Sequence, residues 1–577
     1  MSGRLQRAAP ALVAVGVAAL ALAALHVVWL ARFRWGYVTD WDEAGYAVSA
    51  LHDFDAFGDG PGAFARAAIS TYGTQPPLVP LSAVPLLAVF GRSIDVAQLV
   101  AIPWFVGLML ASYGLARRLA PPGWAALAAI CVGTAPVVTD YARMFHFSVP
   151  AAALLTAAVW ALLRSGRLRD VRWALAGGAL IGLALLARTM TLAYVPAIAA
   201  GLVVVLVADP AGRALRARNL VAAGGLAVVV AALWWAPNWS TVTGYLTGAG
   251  YGESATRFGT EHGVATLGYW TKEATLVTDY LGLPLAAAAV LCLVAGAAAA
   301  VALLHRRASG TRLAWVRAAL GSDWVLPSCL VLGGYLVLTS TTNKGTAFAL
   351  PWIPSLLALA AGAAARVRPG GLRIGLAALL AAVCVLNVLV KNGVSHSLSA
   401  PVRAHLPLLG EVTVLDGRDP LYVEVAEHGD RVGVPPARLP ASAKAWPPLA
   451  DRIVRLVAAR AAARGERDPR LAVVTGDGFL NNTRLELAAV LANRRLMRID
   501  WLLPGAGQDV VPAYGTWLRA RGSDFLLTAD PLPNSFLKPT RANVERAARR
   551  LRFRPIARFR LPDGRGAVLW ERPGSGG

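Results

Sequence analysis

The sequence has few charged residues, few lysines and few cysteines for a chain of 577 residues. Charged residues make up 15% of it, whereas soluble domains carry about 25%. Hydrophobic residues reach 56%, and the mean hydropathy is +0.52. This balance excludes a wholly soluble, a disordered and a fibrous protein. The remaining class is a polytopic membrane protein with room for several domains.

The shortage of cysteine excludes a disulfide framework as the basis of the fold. Four cysteines occur, all in apolar runs and without metal-binding or redox spacing, at positions 131, 292, 329 and 384. Lysine is also rare, because only five of the 56 basic residues are Lys. Together with the abundant Ala and Gly, this preference for Arg indicates a GC-rich bacterial genome.

Eleven apolar runs approach the length of about 20 residues that a membrane-spanning helix needs. The first run also resembles a signal peptide, because Arg4 and Arg7 precede it, but ten further runs favour an uncleaved anchor. We therefore predict an all-α multi-span bundle of about 11 transmembrane helices. The predicted spans are 9–31, 96–116, 122–139, 148–163, 173–187, 191–208, 219–236, 283–304, 325–341, 349–365 and 374–390.

The arginines between the spans predict the orientation, because cytoplasmic loops are enriched in Lys and Arg. With the N-terminus inside, five Arg-rich loops fall on the cytoplasmic side, near residues 117, 167, 216, 312 and 368. We predict a multi-pass protein of the bacterial plasma (inner) membrane. The run 78–90 has 13 residues and is too short to cross, so we expect an interfacial or re-entrant helix after Pro76 and Pro77.

Three longer segments are then extracytoplasmic: residues 32–95, residues 237–282 and the tail 391–577. We predict a transmembrane domain over 1–390 and a soluble extracytoplasmic α/β domain over 391–577. Expected strands in the tail are Leu471–Thr475, Asp524–Thr528 and Gly566–Glu571, and expected helices are 482–493 and 542–551. The basic tail could bind anionic membrane lipids or glycans, although a solvated surface explains it more simply; nucleic acid is not an expected partner.

Three carboxylates lie just beyond the first predicted span, at Asp40, Asp42 and Glu43. Ionisable groups at a membrane boundary are costly and are therefore functional candidates. Such a carboxylate could take a proton from a hydroxyl, or it could hold a divalent metal ion. The structural alternative is a capping box, in which Glu43 accepts from the Asp40 backbone N–H and Asp42 favours the helix N-terminus.

Polar groups also cluster at the outer end of the third predicted span, where Asp140, Tyr141, Arg143 and His146 occur within eight residues. Arg143 suits a phosphate because a guanidinium can donate two parallel hydrogen bonds. The alternatives are an Asp140–Arg143 pair at i, i+3 and a hydrogen-bonded interface role for His146.

Two isolated cations, Arg188 and Lys344, fall on the side that the positive-inside rule disfavours. An anionic partner explains both, and snorkelling to lipid phosphate is the alternative. Carboxylates in one outer loop and cations in three others suit an anionic, membrane-embedded substrate and an acid–base step.

The order of these motifs resembles the GT-C superfamily of polytopic glycosyltransferases, which includes protein O-mannosyltransferases and the aminoarabinose transferases that act on lipid A. The resemblance covers roughly residues 10–365 and extends much less into the tail. It rests on Asp42-Glu43-Ala44-Gly45-Tyr46, Gln75-Pro76-Pro77-Leu78, Tyr141-Ala142-Arg143, Leu186-Ala187-Arg188-Thr189, and Lys344 through Leu350-Pro351-Trp352-Ile353-Pro354.

The resemblance implies a transferase that takes sugar from a polyprenyl-phosphate carrier on the extracytoplasmic side, by an inverting single displacement and without a nucleotide-binding domain. Asp42 would be the base on the acceptor hydroxyl, and Glu43 would position the acceptor or assist Asp42. Arg143, Arg188 and Lys344 would hold the carrier phosphate.

Further substrate-binding candidates are Tyr46, Gln75, Asp140, Tyr141 and His146. Relatives often have a basic residue where this chain has Gln75. They often have an Asp a few residues after Arg143, a role that Asp140 could take here.

Two other function classes compete with the enzyme. A transporter or flippase of lipid-linked glycans would have an internal repeat and charges near the membrane midplane, whereas this sequence shows no repeat and its polar groups cluster at the outer rim. A non-catalytic assembly protein would use the tail to bind cell-envelope glycan. For the enzyme, the acceptor could be a protein, a lipid or a cell-wall glycan.

Overall fold

A computed structural model gives the architecture of most of the chain. It describes all residues except 1, 71–73, 210, 253–264, 307–311, 343–346, 369, 395, 422–424, 427, 429–438, 476, 494–496, 503–508, 533–539 and 574–577. The prediction on Lys344 therefore lies outside the described residues.

The chain forms two compact units, each built from separate segments. The first contains Met1–Val28, Ala68–Val79 and Leu99–Gly417. The second contains Trp29–Ala67, Pro80–Gln98 and Arg418–Gly577. Most of the segment 32–95 thus folds in the same unit as the tail from Arg418, whereas the sequence analysis grouped it with residues 1–390.

Within the described residues, six helices are long and apolar enough to cross a membrane by length and composition. Two of these stretches contain more than one helical piece. The six stretches are Ala9–Phe33 of the Ser2–Phe33 helix, Ile94–Leu119, Thr189–Ala208, Arg213–Trp235, Leu283–Ala302 of the Leu283–Arg306 helix, and Gly370–Lys391.

Six shorter apolar helices have 10–17 residues each: Leu78–Phe90, Pro122–Thr134, Ser148–Arg164, Val171–Ala187, Val325–Ser340 and Leu350–Ala364. Five of them coincide with predicted spans. The other, Leu78–Phe90, has the 13 residues of the predicted interfacial helix. An apolar helix therefore occurs at each of the predicted positions, and the number that cross a membrane remains a prediction.

The remaining helical elements are mostly short and more polar. Two of them, Trp41–Gly58 and Pro61–Ser70, lie in the segment 32–95. The others before the tail sheet are Pro136–Tyr141, Trp239–Tyr251, Leu267–Leu281, Arg312–Leu320, His396–Ser399 and the 3₁₀ turn Ala441–Lys444.

Small residues allow two apolar helices of the first unit to pack closely. A Cβ atom added at Gly178 would lie 2.1 Å from the carbonyl oxygen of Ala223, and one at Gly182 would lie 2.8 Å from that of Ala227. These glycines stand four residues apart on the Val171–Ala187 helix and face the Arg213–Trp235 helix. Such small-xxx-small spacing is a common way for membrane helices to bring their backbones together.

Two strands of the first unit form an antiparallel hairpin. Strand β1 covers Val402–Leu406, strand β2 covers Gly410–Leu415, and Leu406 pairs with Gly410 at the turn. Gly410 has a φ of +75°, a left-handed conformation that glycine adopts without a Cβ penalty. The sequence analysis did not identify this hairpin.

The described part of the tail contains a five-stranded mixed sheet. Its strands are β3 Arg470–Val474, β4 Arg498–Trp501, β5 Phe525–Ala529, β6 Arg554–Arg560 and β7 Gly566–Glu571. Their order in the sheet is β4-β3-β5-β7-β6. Strand β3 is parallel to β4 and β5, whereas β7 runs antiparallel to both β5 and β6.

Helices pack against both faces of this sheet. Alternate residues of a strand point to opposite faces, so one strand contributes to two buried cores. Leu471 and Val473 contribute to one buried core, whereas Ala472 and Val474 contribute to the other. The packed helices are Trp446–Ala463, Asn482–Asn493, Val511–Arg521 and Arg541–Arg550. Each of the five elements expected in the tail occurs within one residue of its predicted bounds, and the separate domain over 391–577 remains a prediction.

The close helix contact predicts that Gly178→Ala destabilises the first unit. The added methyl group would overlap a backbone oxygen, and overpacking of this kind costs about 1–3 kcal/mol. We expect a lower thermal unfolding temperature for the purified protein. Gly225→Ala is the matched control, because a Cβ atom there meets nothing within 4 Å. Equal unfolding temperatures for the two variants would contradict the close contact.

Candidate active site

The helix Trp41–Gly58 begins with a capping box. The Asp40 carboxylate accepts a hydrogen bond of 2.8 Å from the backbone N–H of Asp42, and the Glu43 carboxylate accepts one of 3.0 Å from the backbone N–H of Asp40. The capping box considered as an alternative in the sequence analysis is thus present. It fixes the direction of the first turn, on which Asp42 lies.

Glu43 also makes contacts beyond the cap, and its side chain is fully buried. Arg34 donates from Nη2 to Glu43 Oε2 at 2.6 Å, and Gln98 donates from Nε2 to Glu43 Oε1 at 3.0 Å. These contacts engage both carboxylate oxygens. Glu43 therefore anchors the helix end within the second unit.

Arg34 connects Glu43 to the tail. Its Nη1 donates to Asp419 Oδ1 at 3.0 Å, and the Arg34, Glu43 and Asp419 side chains are all fully buried. Burial alone would lower the pKa of Arg34, but the charges of Glu43 and Asp419 outweigh it and raise that pKa. We call Arg34, Glu43, Gln98 and Asp419 the Arg34 network. Removing one partner of such a buried ion pair costs about 3–5 kcal/mol.

Asp42 is the neighbour of Glu43 but has a different environment, because its side chain is exposed. Adjacent helical residues diverge by about 100°, so Asp42 leaves the helix in another direction than the buried Glu43. Tyr46 follows Asp42 by one turn and is buried. The first turn thus combines a buried carboxylate that holds the helix with an exposed one that can meet a substrate.

A further carboxylate lies on the same helix at Asp53, which is 1% exposed. Its Oδ1 atom has no hydrogen-bond partner among the described residues. Asp53 follows Asp42 by eleven residues, which places it about 20° around the helix axis from Asp42. Burial raises the pKa of Asp53 to about 7.

In the first unit, Arg143 is buried and its guanidinium donates to three acceptors. Nη1 donates to the Lys391 carbonyl oxygen at 2.8 Å, Nη2 to Asn392 Oδ1 at 2.6 Å, and Nε to His26 Nδ1 at 3.2 Å. Asp140 Oδ1 lies 2.5 Å from Lys391 Nζ. The predicted outer cluster is therefore tied to the end of the Gly370–Lys391 helix.

His146 and Tyr141 belong to the same region. The two ring centroids lie 4.5 Å apart, and the His146 ring lies 3.8 Å from that of Phe147. His146 Nδ1 accepts a hydrogen bond of 3.2 Å from the backbone N–H of Ser148. This geometry agrees with the hydrogen-bonded interface role that the sequence analysis considered for His146.

Arg188 lies between two aromatic rings. Its guanidinium carbon is 4.2 Å from the ring centroid of Phe147 and 4.8 Å from that of Phe348. Nη1 donates to Ser148 Oγ and to the Ala347 carbonyl oxygen, both at 3.3 Å. The side chain is 4% exposed, so it is packed within the unit and does not snorkel.

The structure divides the predicted site residues between the two units. Asp42, Glu43 and Tyr46 belong to the second unit, and Asp140, Tyr141, Arg143, His146 and Arg188 belong to the first. Gln75 also belongs to the first unit and is partly buried. Its Oε1 atom has no hydrogen-bond partner among the residues that the structure describes.

Several partners of these residues were missed by sequence reasoning. Arg34 is a cation in the predicted outer segment 32–95, where the positive-inside rule disfavours it, as it disfavours Arg188. Lys391 is one of only five lysines in the chain and directly follows a predicted span. His26 is an ionisable residue within the predicted span 9–31, whereas Gln98 and Asp419 carry no such signal.

One group of metal-ligand type occurs among the described residues, in the tail. Ligand atoms of His428, Asp477 and Asp563 lie within 4.8 Å of one another. Arg565 already forms ion pairs with Asp477 and Asp563, and Asp477 also caps the turn through the N–H groups of Phe479 and Leu480. Burial would raise the pKa of Asp477, but His428 and Arg565 outweigh it and lower that pKa. The group is explained as an ion network.

Comparison with known proteins identifies the fold. The sequence profile of the dolichyl-phosphate-mannose-protein mannosyltransferase family matches residues 74–235. Structures of ArnT from Cupriavidus metallidurans, in the apo state and bound to undecaprenyl phosphate, match with a TM-score of 0.50 at 17% and 18% identity. They cover 96% and 97% of this chain and 97% and 98% of their own.

The resemblance to GT-C glycosyltransferases is confirmed at the level of the fold. A structure of the archaeal oligosaccharyltransferase AglB from Archaeoglobus fulgidus, in complex with an inhibitory peptide and a dolichol-phosphate, matches with a TM-score of 0.50 at 12% identity. That match covers 89% of this chain and 69% of the other. No curated protein sequence matches the chain.

The pKa of Asp53 predicts a pH-dependent stability. The pKa of an Asp in an unfolded chain is about 3.9, whereas the pKa of Asp53 in the folded protein is about 7. Between these values the unfolded chain has released a proton that the folded chain keeps, so the free energy of unfolding falls as the pH rises from about 4 to 7.

We expect Asp53→Asn to remove this dependence and to be more stable than the wild type at pH 8, by up to about 4 kcal/mol. The measurement is thermal unfolding at pH values from about 4 to about 8. Asp59→Asn is the control, because Asp59 is exposed at the C-terminal end of the same helix. An unchanged pH profile in Asp53→Asn would contradict the assignment.

Proposed function

We propose that this protein is a membrane glycosyltransferase that moves a sugar from a polyprenyl-phosphate carrier to a hydroxyl group of an extracytoplasmic acceptor. The observation that carries the proposal is the exposed carboxylate of Asp42 on a helix end that buried partners hold in place. It occurs in a chain that shares its fold with a protein whose structure contains undecaprenyl phosphate.

In the proposed reaction, Asp42 acts as the general base. Its carboxylate takes the proton of the acceptor hydroxyl while that oxygen forms a bond to the anomeric carbon of the sugar. The bond between the anomeric carbon and the phosphate oxygen breaks, and polyprenyl phosphate leaves with the bonding electrons. One displacement of this kind inverts the anomeric configuration.

The resemblance left two roles open for Glu43, namely positioning the acceptor or assisting Asp42. Both of its carboxylate oxygens accept hydrogen bonds inside the protein, from Arg34, Gln98 and the Asp40 backbone. We therefore assign it the support of Asp42 rather than contact with the acceptor. Tyr46, one turn further along, remains a candidate for substrate contact.

The carrier phosphate needs cations that stabilise its charge as it leaves. We propose Arg188 for this role, because the rings of Phe147 and Phe348 fix its guanidinium. Arg143 already donates to His26, Lys391 and Asn392. We therefore propose that Arg143 stabilises the carrier phosphate through its charge and holds the surrounding chain in place. Lys344 joins them by the resemblance alone.

Other residues of the first unit complete the proposed binding site for the carrier phosphate. Asp140 is paired with Lys391 at 2.5 Å, an arrangement that orients the lysine while it partly neutralises the local charge. Tyr141, His146 and Gln75 are proposed to contact the sugar or the carrier head group. A divalent metal ion on the carrier phosphate remains an alternative to purely protein-borne charge.

The proposed base predicts that Asp42→Asn abolishes transfer. Asparagine keeps the size of the side chain but cannot accept the proton, and loss of a general base costs about 10²- to 10⁴-fold in rate. The measurement is release of polyprenyl phosphate by the reconstituted protein, with protein, lipid and glycan acceptors offered in parallel and with a chelator arm.

Asp59→Asn, on the same helix, is the control and should transfer at the wild-type rate. Equal turnover by Asp42→Asn and wild type would leave Asp42 with the capping role alone. No turnover by the wild type with any donor and acceptor would contradict the proposed function.

The proposed phosphate contact predicts that Arg188→Gln weakens donor use. Loss of the charge should raise the donor KM and lower kcat, because the guanidinium would bind the ground-state phosphate and also stabilise the leaving group. Steady-state kinetics with a water-soluble short-chain donor provide the measurement. Arg164→Gln is a matched control, because Arg164 also lies over aromatic rings, those of Trp160 and Trp173. Equal kinetics in both variants would contradict the role.

A further inference from the structure

The Arg34 network joins the three segments of the second unit. Arg34 and Glu43 lie in the first segment, Gln98 ends the second, and Asp419 belongs to the tail, 385 residues after Arg34. The two ion-pair distances are 2.6 Å and 3.0 Å. The connection between the helix end and the tail is therefore a chain of direct, buried contacts.

Both carboxylates that Arg34 contacts accept further hydrogen bonds. Asp419 Oδ1 also accepts from the backbone N–H of Leu421 at 2.9 Å, which orients the carboxylate towards Arg34. Gln98 fixes the other oxygen of Glu43 at 3.0 Å. A planar guanidinium can serve two carboxylates at once only if both stay in place. Arg34 therefore links the position of Glu43 to that of Asp419.

The tail also contacts the start of the Trp41–Gly58 helix directly. The ring of Trp501 lies 4.2 Å from that of Trp41, centroid to centroid, in an edge-on arrangement. Thr483 donates from Oγ1 to the Trp41 carbonyl oxygen at 3.4 Å. These contacts lie within one residue of Asp42, so the tail borders the turn that carries it.

We infer that Arg34 and Asp419 are positioning residues for the Asp42 carboxylate, and that the tail supplies Asp419 as a working part of the active site. This inference rests on the proposed function. Asp419 holds Arg34, Arg34 holds Glu43, and Glu43 caps the turn on which Asp42 lies. The tail therefore helps to position the Asp42 carboxylate, the proposed base.

The test uses the full-length protein in lipid nanodiscs and compares Asp419→Asn, Arg34→Lys and the double variant. Asparagine keeps the shape of Asp419 without its charge, and lysine keeps the charge of Arg34 without its two-armed geometry. Asp451→Asn is the matched control, because Asp451 is a tail carboxylate paired with Arg455 at the exposed surface.

We expect each single variant to lower kcat by about 10- to 100-fold, since small displacements of a catalytic group have effects of this size. The donor KM should stay within about twofold, because neither residue would bind the donor. The double variant should lose no more than the more impaired single variant, because both changes break one chain of contacts. The control should keep the wild-type kcat.

Hydrogen exchange provides a readout that does not depend on turnover. The amides of residues 40–46 should exchange faster in Asp419→Asn than in wild type and in Asp451→Asn, while the amides of the tail sheet stay equally protected. If Asp419→Asn does not fold, Arg34→Lys carries the same comparison.

The possible failures are distinguishable. A folded Asp419→Asn or Arg34→Lys variant with wild-type kcat overturns the inference and leaves the proposed function standing. Losses in kcat that multiply in the double variant overturn it as well, because the two residues would then act separately. A wild-type protein that transfers no sugar contradicts both the inference and the function.

Discussion

The buried ion pair between Arg34 and Glu43 is the interaction on which the candidate active site depends. The first turn of the Trp41–Gly58 helix carries both the buried Glu43 and the exposed Asp42. The pair holds this turn, and Asp419 and Gln98 complete the network. Charges buried this deeply need partners. The network therefore has few alternative arrangements. The buried Glu43 fixes the first turn of the helix, and with it the position of the exposed Asp42.

The same constraint shapes the polar residues of the first unit. Arg143 and Arg188 are buried, and the protein meets their charge with carbonyl oxygens, side-chain acceptors and aromatic faces. Cations held in this way are preorganised, so little rearrangement is needed when an anion arrives. Close helix packing around Gly178 adds rigidity to the unit that carries them. An anionic carrier is the partner that such a set of fixed cations suits.

Periodic and compositional signals in the sequence were sufficient for the helices and for much of the tail. Apolar runs predicted a helix at every span position, and a short β-like run predicted the strand at Leu471–Thr475. Spacing also predicted the capping box of Asp40 and Glu43. Contacts between distant residues have no such signal: nothing near Asp419 indicates a partner 385 residues earlier, and Arg143 looked available for phosphate until its three acceptors were seen. The β1–β2 hairpin was missed although Val402–Leu406 and residues 411–414 alternate between apolar and polar side chains.

The central claim is a single displacement at the anomeric carbon with Asp42 as the base. The most direct measurement is the anomeric configuration of the product, determined by NMR after transfer from a chemically defined polyprenyl-phosphate sugar by the reconstituted protein. The account predicts the opposite configuration to that of the donor, with one polyprenyl phosphate released for each sugar transferred. A product that retains the donor configuration would contradict it, since retention requires a second displacement that the proposed site does not provide.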